Sequence, residues 1–206
     1  MLKFIEKTIK ATILNIIVAL LIITIILFAV FMVFGAKIEE TVSMASKITI
    51  DIDKKEDIKP IEIDSENRLK NYPEYGTQYA TIEIPKIDVD LPVYFGDTLE
   101  VLKKGVGHSS GSYFPGEGGS IIYMGHNAKN IFRRFSEIQV GDEITIKANY
   151  GTYQYKIYDT KLIKETDIEE LPIQKDKEIL MIYTCYPFNN IGYASKRFVV
   201  YAELEN

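Results

Sequence analysis

The sequence predicts an all-β domain, a closed or nearly closed barrel of seven or eight strands with short helices, preceded by one N-terminal transmembrane helix. Three observations carry that prediction. From Tyr79 onward the chain is a succession of short alternating or β-branched segments separated by turn signals. No βαβ rhythm interrupts them, which argues against a parallel α/β sheet. Residues 11 to 36, ATILNIIVALLIITIILFAVFMVFGA, contain no charged side chain.

Residues 1–10 read as a short cytoplasmic N-terminus and 11–36 as a retained anchor, since the apolar run exceeds the ~20 residues that span a bilayer. A cleaved signal peptide would need only about 7 to 15 apolar residues and a small-x-small exit, whereas this run ends Phe34-Gly35-Ala36-Lys37. Lys3, Lys7 and Lys10 precede it against one Glu6, and Lys37 is followed at once by Glu39 and Glu40. The positive-inside rule then puts the N-terminus in the cytoplasm and the remainder outside, in a single-pass protein of the cell membrane.

Residues 37–78 are charge-rich with scattered Ile and read as an extracellular stalk. A helix is expected near Asp64 to Asn71, a strand is an alternative for Ile48 to Ile52, and the stalk is long enough to lie across a groove of the domain. The folded domain is expected at 79–206. Within it YATIEIPKI and VDLPVYFG are strands bent by Pro85 and Pro92, and LEVLKKG is a helical turn or two stopped by Gly105. GSIIYMGH, EITIKANY, TYQYKIYDTKLI, EILMIYTC and RFVVYAEL complete the strand set, and KETDIEELPIQKDK, 164–177, is a loop with a helical turn.

Composition narrows the function. A chain of 206 residues with 47% hydrophobic content fills one ordinary core, and 24 basic against 29 acidic side chains give a net charge of -5, no footprint for nucleic acid. The single cysteine, Cys185, excludes an intramolecular disulfide, and no Cys/His spacing fits structural zinc.

Any imidazole chemistry must use His108 or His126, the only two histidines. His126 ends a strand and faces a loop rim, where functional side chains concentrate. His108 lies in the GVGHSSGSYFPGEGG loop, where histidine often braces a turn; the residues alone leave either one structural or catalytic. Cys185 ends a buried-looking strand, and a free cysteine is commonly a small hydrophobe. On an exported domain, however, an unpaired thiol is exposed to oxidation, which makes its retention easier to explain if reactivity is its purpose. Alternation in KRFVVYAEL puts Arg197, Val199 and Tyr201 on one face. A hairpin across YPFNNIGYAS would bring Arg197 near the sulfur; otherwise it is a surface arginine.

Taken together, GHN, then TC after a strand, then KRF near the C-terminus resemble the His, TLxTC and Arg signature of the sortases, cysteine transpeptidases of Gram-positive bacteria. The resemblance covers about Tyr79 to Leu204. It is strongest in LKKGVGHSSGSYFPGEGGSIIYMGHN and YTCYPFNNIGYASKRFVVYAEL, and TCYPF is similar to class D members. Met181 and Ile182 depart from the motif's Thr and Leu.

The resemblance implies an eight-stranded sortase barrel with Cys185 as nucleophile, His126 as acid and base, and Arg197 as holder of substrate or oxyanion. The substrates it implies are surface proteins bearing an LPxTG-like sorting signal, cut between Thr and Gly, with an amine of peptidoglycan precursor as acceptor. Substrate contacts are expected from Thr184, the Tyr186 N–H, and Ile168, Leu171 and Ile173 of the 164–177 loop. Those three aliphatic residues could equally form the loop's own small core. Some relatives hold calcium in that loop, but Asp167, Glu169 and Glu170 fall short of the six to eight oxygen ligands calcium takes, and neither a required metal nor a cofactor is expected. Two other readings compete, a cysteine L,D-transpeptidase or cell-wall peptidase, which lacks its SHGC context here, and a non-catalytic membrane-tethered β scaffold.

Overall fold

The structure, a computed structural model, describes residues 10, 12–32, 60–65, 68–188 and 193–205. The first unit is helix α1, Thr12–Met32, long and apolar enough by composition to cross a membrane. Its 21 residues rise about 32 Å, close to the hydrocarbon thickness of a bilayer. Thr24 donates its hydroxyl to the Leu20 carbonyl at 2.8 Å, so this polar side chain is satisfied within the helix.

The second unit is an eight-stranded closed barrel of β1 Gln78–Ile84, β2 Val89–Phe95, β3 Val106–His108, β4 Ser120–Met124, β5 Glu143–Ala148, β6 Gly151–Lys164, β7 Ile179–Tyr186 and β8 Lys196–Leu204. Around the barrel the order is β1-β2-β3-β4-β7-β8-β6-β5. Two neighbouring pairs, β2 with β3 and β4 with β7, run parallel, and the other six run antiparallel. Pro85 opens a 3-10 turn and so ends β1. Pro92 stays inside β2, just before the stretch that pairs with β3, where its missing N–H removes no bond to that neighbour. Thr98 caps the one-turn helix α2, Leu99–Leu102. The chain then returns through Gly105, where a Cβ would stand 2.5 Å from the Pro92 carbonyl oxygen.

Strand alternation sorts the apolar residues into two sets. Ile82, Ile121, Tyr123, Ile144, Leu180, Ile182, Val200 and Ala202 fill the interior. Ile122, Ile163, Met181, Val199 and Tyr201 cluster on the outer face of the β4–β7–β8–β6 wall, with Leu171, Ile179 and Tyr183 packed against them. Apolar residues on both faces explain why GSIIYM and EILMIY read as continuous rather than alternating runs.

The buried His108 and Glu178 are both hydrogen-bonded. His108 is fully buried; its Nε2 lies 3.1 Å from the Tyr113 carbonyl, an acceptor, so Nε2 carries the proton, and its Nδ1 accepts from the Tyr79 hydroxyl at 2.8 Å. Tyr123 meets Tyr79 at 2.7 Å and Ser112 meets Nε2 at 2.9 Å, which extends the network at both ends. Burial drives the His108 pKa down to about 3, so the ring is neutral. Of the two histidines, His108 is therefore the internal brace. Nearby, the buried Glu178 carboxylate accepts the N–H groups of Gly116 and Gly118, both at positive φ, and the Tyr155 hydroxyl at 2.6 Å.

The folded unit begins earlier than the 79–206 expected. Ile61 and Leu69 are buried with the barrel core, Ile63 bridges antiparallel to Leu69, and Tyr72 donates to Glu117 at 2.8 Å. In place of a helix at 64–71, the described residues make a tight antiparallel turn, because its apolar positions serve the barrel rather than a helical face. This segment lies on the 114–117 loop. The Ile48 to Ile52 strand and the rest of the stalk through 59 fall outside the described residues.

Candidate active site

Pairing of β7 with β8 makes Cys185 and Arg197 directly opposed partners, so their Cβ atoms are about 5 Å apart on one face. That face is the outer one: Met181, Tyr183 and Cys185 alternate along β7, and Tyr201, Val199 and Arg197 along β8. The hairpin expectation for Arg197 holds at the level of register.

His126 arrives from the other side. In the parallel β4–β7 pair Met124 is level with Tyr183, and Gly125 extends the ladder by donating its N–H to the Tyr183 carbonyl at 3.2 Å. His126 follows two residues past Met124, just beyond the end of β4, and continuing the register by two residues carries it to the side of Cys185. The juncture is tied twice more: Thr184 donates its hydroxyl to the Gly125 carbonyl at 2.7 Å, and the Asn127 amide donates to the Pro187 carbonyl at 3.0 Å. Cys185 and Arg197 on β7 and β8 and His126 just past the end of β4 are thus brought to one end of three adjacent strands from residues 59 and 12 apart in sequence.

The electrostatics fit that arrangement. His126 is half-buried, and burial lowers its pKa below the ordinary 6.5. Cys185 is a free, half-buried thiol. Arg197 gives Nη1 to the Ala194 and Lys196 carbonyls at 2.6 and 2.9 Å and Nη2 to Glu165 at 3.1 Å. The Tyr183 phenol, raised chiefly by burial, also feels Arg197 lowering its pKa, and Asp97 and then Cys185 raising it.

The expected substrate contacts divide. Thr184 is buried on the interior face with its hydroxyl engaged by Gly125, which corrects the substrate-facing expectation: strand parity turns it away from Cys185. Tyr186 is half-buried with its ring 5.3 Å from Phe188. Leu171 packs on the outer apolar cluster that leads to Cys185. Ile168 is 77% exposed, and Ile173 lines a separate hollow with Tyr72 and Phe114, so the three do not form a mini-core. A cavity of about 210 Å³, lined by Tyr158, Lys161, Glu170, Pro172, Met181 and Tyr201, opens on the same outer face toward the start of β7. Asp167 accepts from the Lys164 N–H and Glu170 pairs with Lys161. Among the described residues no group of three or more His, Cys, Asp or Glu is placed to hold a metal ion. Glu165 and Asn127, which the sequence reading does not single out, lie beside these residues through their bonds to Arg197 and the Pro187 carbonyl. Asn127 stood in the GHN motif beside the histidine, whereas nothing in the sequence distinguished Glu165.

Comparison with known proteins agrees with this geometry. Residues 82–205 match the sortase domain family. The chain is 38% identical to Sortase D of Bacillus subtilis over 139 residues, 68% of this chain and 70% of that protein. Among solved structures it is similar to a Clostridium perfringens Sortase D5 transpeptidase, with a TM-score of 0.60 and 31% identity over 66% of this chain and 83% of that one. It is similar also to sortase C1 from Streptococcus agalactiae, with a TM-score of 0.60 and 29% identity over 68% and 74%. The chain belongs to the sortase family and is a cysteine transpeptidase of class D character. That removes the scaffold and L,D-transpeptidase readings.

Proposed function

We propose that this enzyme is a membrane-anchored sortase that cuts an LPxTG-like signal between Thr and Gly and passes the surface protein to a cell-wall amine. The observation that carries the reading is the pairing that makes Cys185 and Arg197 opposed partners on β7 and β8, with His126 following the end of the neighbouring strand β4. Cys185 Sγ attacks the Thr carbonyl carbon, its proton passing to His126, and the tetrahedral oxyanion is held by Arg197 and the Tyr186 N–H. The C–N bond to Gly then breaks as His126 returns the proton to the leaving amine, giving a thioester. An incoming amine reverses the sequence: it loses a proton to His126, forms the new amide and releases the thiol. A neutral resting imidazole suits the first of these steps, because it can accept the thiol's proton.

The Leu-Pro part of the signal lies on the outer apolar cluster, against Leu171 and Met181, with the exposed Ile168 at the loop's margin. Helix α1 anchors the chain in the bilayer with the N-terminus cytoplasmic and the barrel outside, as the lysines before it and the acidic residues after it favour. Acceptor amine and substrates therefore meet on the extracellular side.

The test uses the full chain in detergent micelles with a panel of LPxTG-like peptides and an amine acceptor, followed by mass spectrometry. Cleavage between Thr and Gly with an acyl adduct on Cys185, absent in Cys185→Ala, is the expected result. A folded enzyme that forms no adduct with any peptide of the panel would refute this substrate class.

A further inference from the structure

We infer that Glu165 is a positioning residue for Arg197, fixing the guanidinium for acyl transfer; the inference rests on the role given to Arg197 above. Four neighbouring strands carry the argument. Beyond His126, Cys185 and Arg197, the next strand is β6, where Ile163 is the direct partner of Arg197 and Glu165 lies two residues further on. Its backbone N–H donates to the Ser195 carbonyl at 3.0 Å, so the ladder continues to this residue. Its carboxylate accepts Arg197 Nη2 at 3.1 Å and a hydrogen bond from the Tyr193 hydroxyl.

Arginine has five N–H donors. Nη1 spends its two on the Ala194 and Lys196 carbonyls, and Nη2 one on Glu165. Nε–H and one Nη2–H have no protein partner among the described residues, which leaves two donors for a substrate carbonyl or an oxyanion. Both members of the Glu165–Arg197 pair are partly buried, unlike the exposed ion pairs that contribute little. Since arginine stays cationic at any working pH, the carboxylate is not needed to keep it charged. What Glu165 supplies is direction: with Nη1 pinned at one side, the third contact stops the plane from rotating about its last bonds. Through Tyr193 and Arg197 it also joins the end of β6 to the segment that leads into β8.

The experiment compares wild type, Glu165→Ala, Glu165→Gln, Arg197→Ala and the double alanine variant as full chains in detergent micelles. The peptide is the LPxTG-like one that wild type cleaves best. Glu165→Ala is expected to lower kcat about 10- to 100-fold, the range for a misplaced catalytic group, with KM and the iodoacetamide labelling rate of Cys185 little changed. Glu165→Gln, whose amide oxygen still accepts from Nη2, recovers most of the loss. In the Arg197→Ala background the glutamate change has no further effect. Wild-type kcat in Glu165→Ala, or an equal loss with and without Arg197, overturns the inference while leaving the Arg197 role intact. An unimpaired Arg197→Ala, or a wild type that cleaves no peptide, instead overturns the reading on which it rests.

Discussion

Lowering the pH below 6.5 should destabilise this barrel through one residue, His108. Its imidazole is neutral in the folded state because burial holds its pKa at about 3, whereas in the unfolded chain it titrates near the ordinary 6.5. The unfolded state therefore binds a proton that the folded state refuses. The stability His108 confers is complete above pH 6.5 and is lost as pH falls, by about 1.4 kcal/mol per unit, until the folded ring also protonates near pH 3. At pH 5 the loss is about 2 kcal/mol, and its ceiling is about 5 kcal/mol. The chain has no tryptophan and 14 tyrosines, so guanidinium unfolding followed by near-ultraviolet tyrosine signals reports on it. Wild type in micelles is compared with His108→Gln at pH 7, 6 and 5, where Gln cannot titrate. The variant is less stable at pH 7, since it loses the Tyr79 contact, but its stability falls less steeply with acid. Equal slopes in the two proteins, or an NMR titration of His108 centred near 6, would refute the reasoning.

Three further predictions follow from the same contacts. Thr184→Val removes the hydroxyl that holds the Gly125 carbonyl and is expected to destabilise by about 1–3 kcal/mol; kcat falls as well, measured by peptide cleavage, because His126 follows Gly125 directly. Glu178→Ala leaves the Gly116 and Gly118 N–H groups and the Tyr155 hydroxyl without their acceptor, and is expected to cost about 3 kcal/mol or more in denaturant unfolding with Cys185 labelling unaltered in the folded fraction. In the proposed mechanism neutral His126 accepts the thiol proton, so kcat/KM should rise with pH, with its acid-side inflection below 6.5, and His126→Ala should abolish turnover. An inflection well above 6.5 would contradict the burial of His126.

Much of this was legible in the residues. Period-2 alternation with Gly and Pro punctuation marked the strands, and the GHN, TC and KRF motifs marked the three side chains at their ends. What stayed hidden depended on parity and long-range pairing. Thr184 could be assigned to neither face until the partners of Leu180 and Ile182 were known. Residues 60–75 looked like stalk because Ile61 and Leu69 are isolated among charges, and only the barrel surface beneath them gives those two a reason. Glu165 carries no motif, since its partner is 32 residues away and is met only through the β6–β8 register.

The parallel β4–β7 seam has a consequence for how such an enzyme diversifies. Cys185 and His126, the nucleophile and proton carrier of the proposed mechanism, follow directly from the ends of that seam's ladder, His126 two residues beyond its last pair, Met124 with Tyr183. The register of that ladder is chosen by the apolar side chains on its inner faces, Ile121, Tyr123, Leu180 and Ile182. A slip of one residue would turn the thiol inward and drown it in the core. The segments around the rim can lengthen, shorten or change charge to suit a different substrate while this ladder keeps its register. Conversely, a substitution in the middle of the barrel, far from any peptide, acts directly on the chemistry.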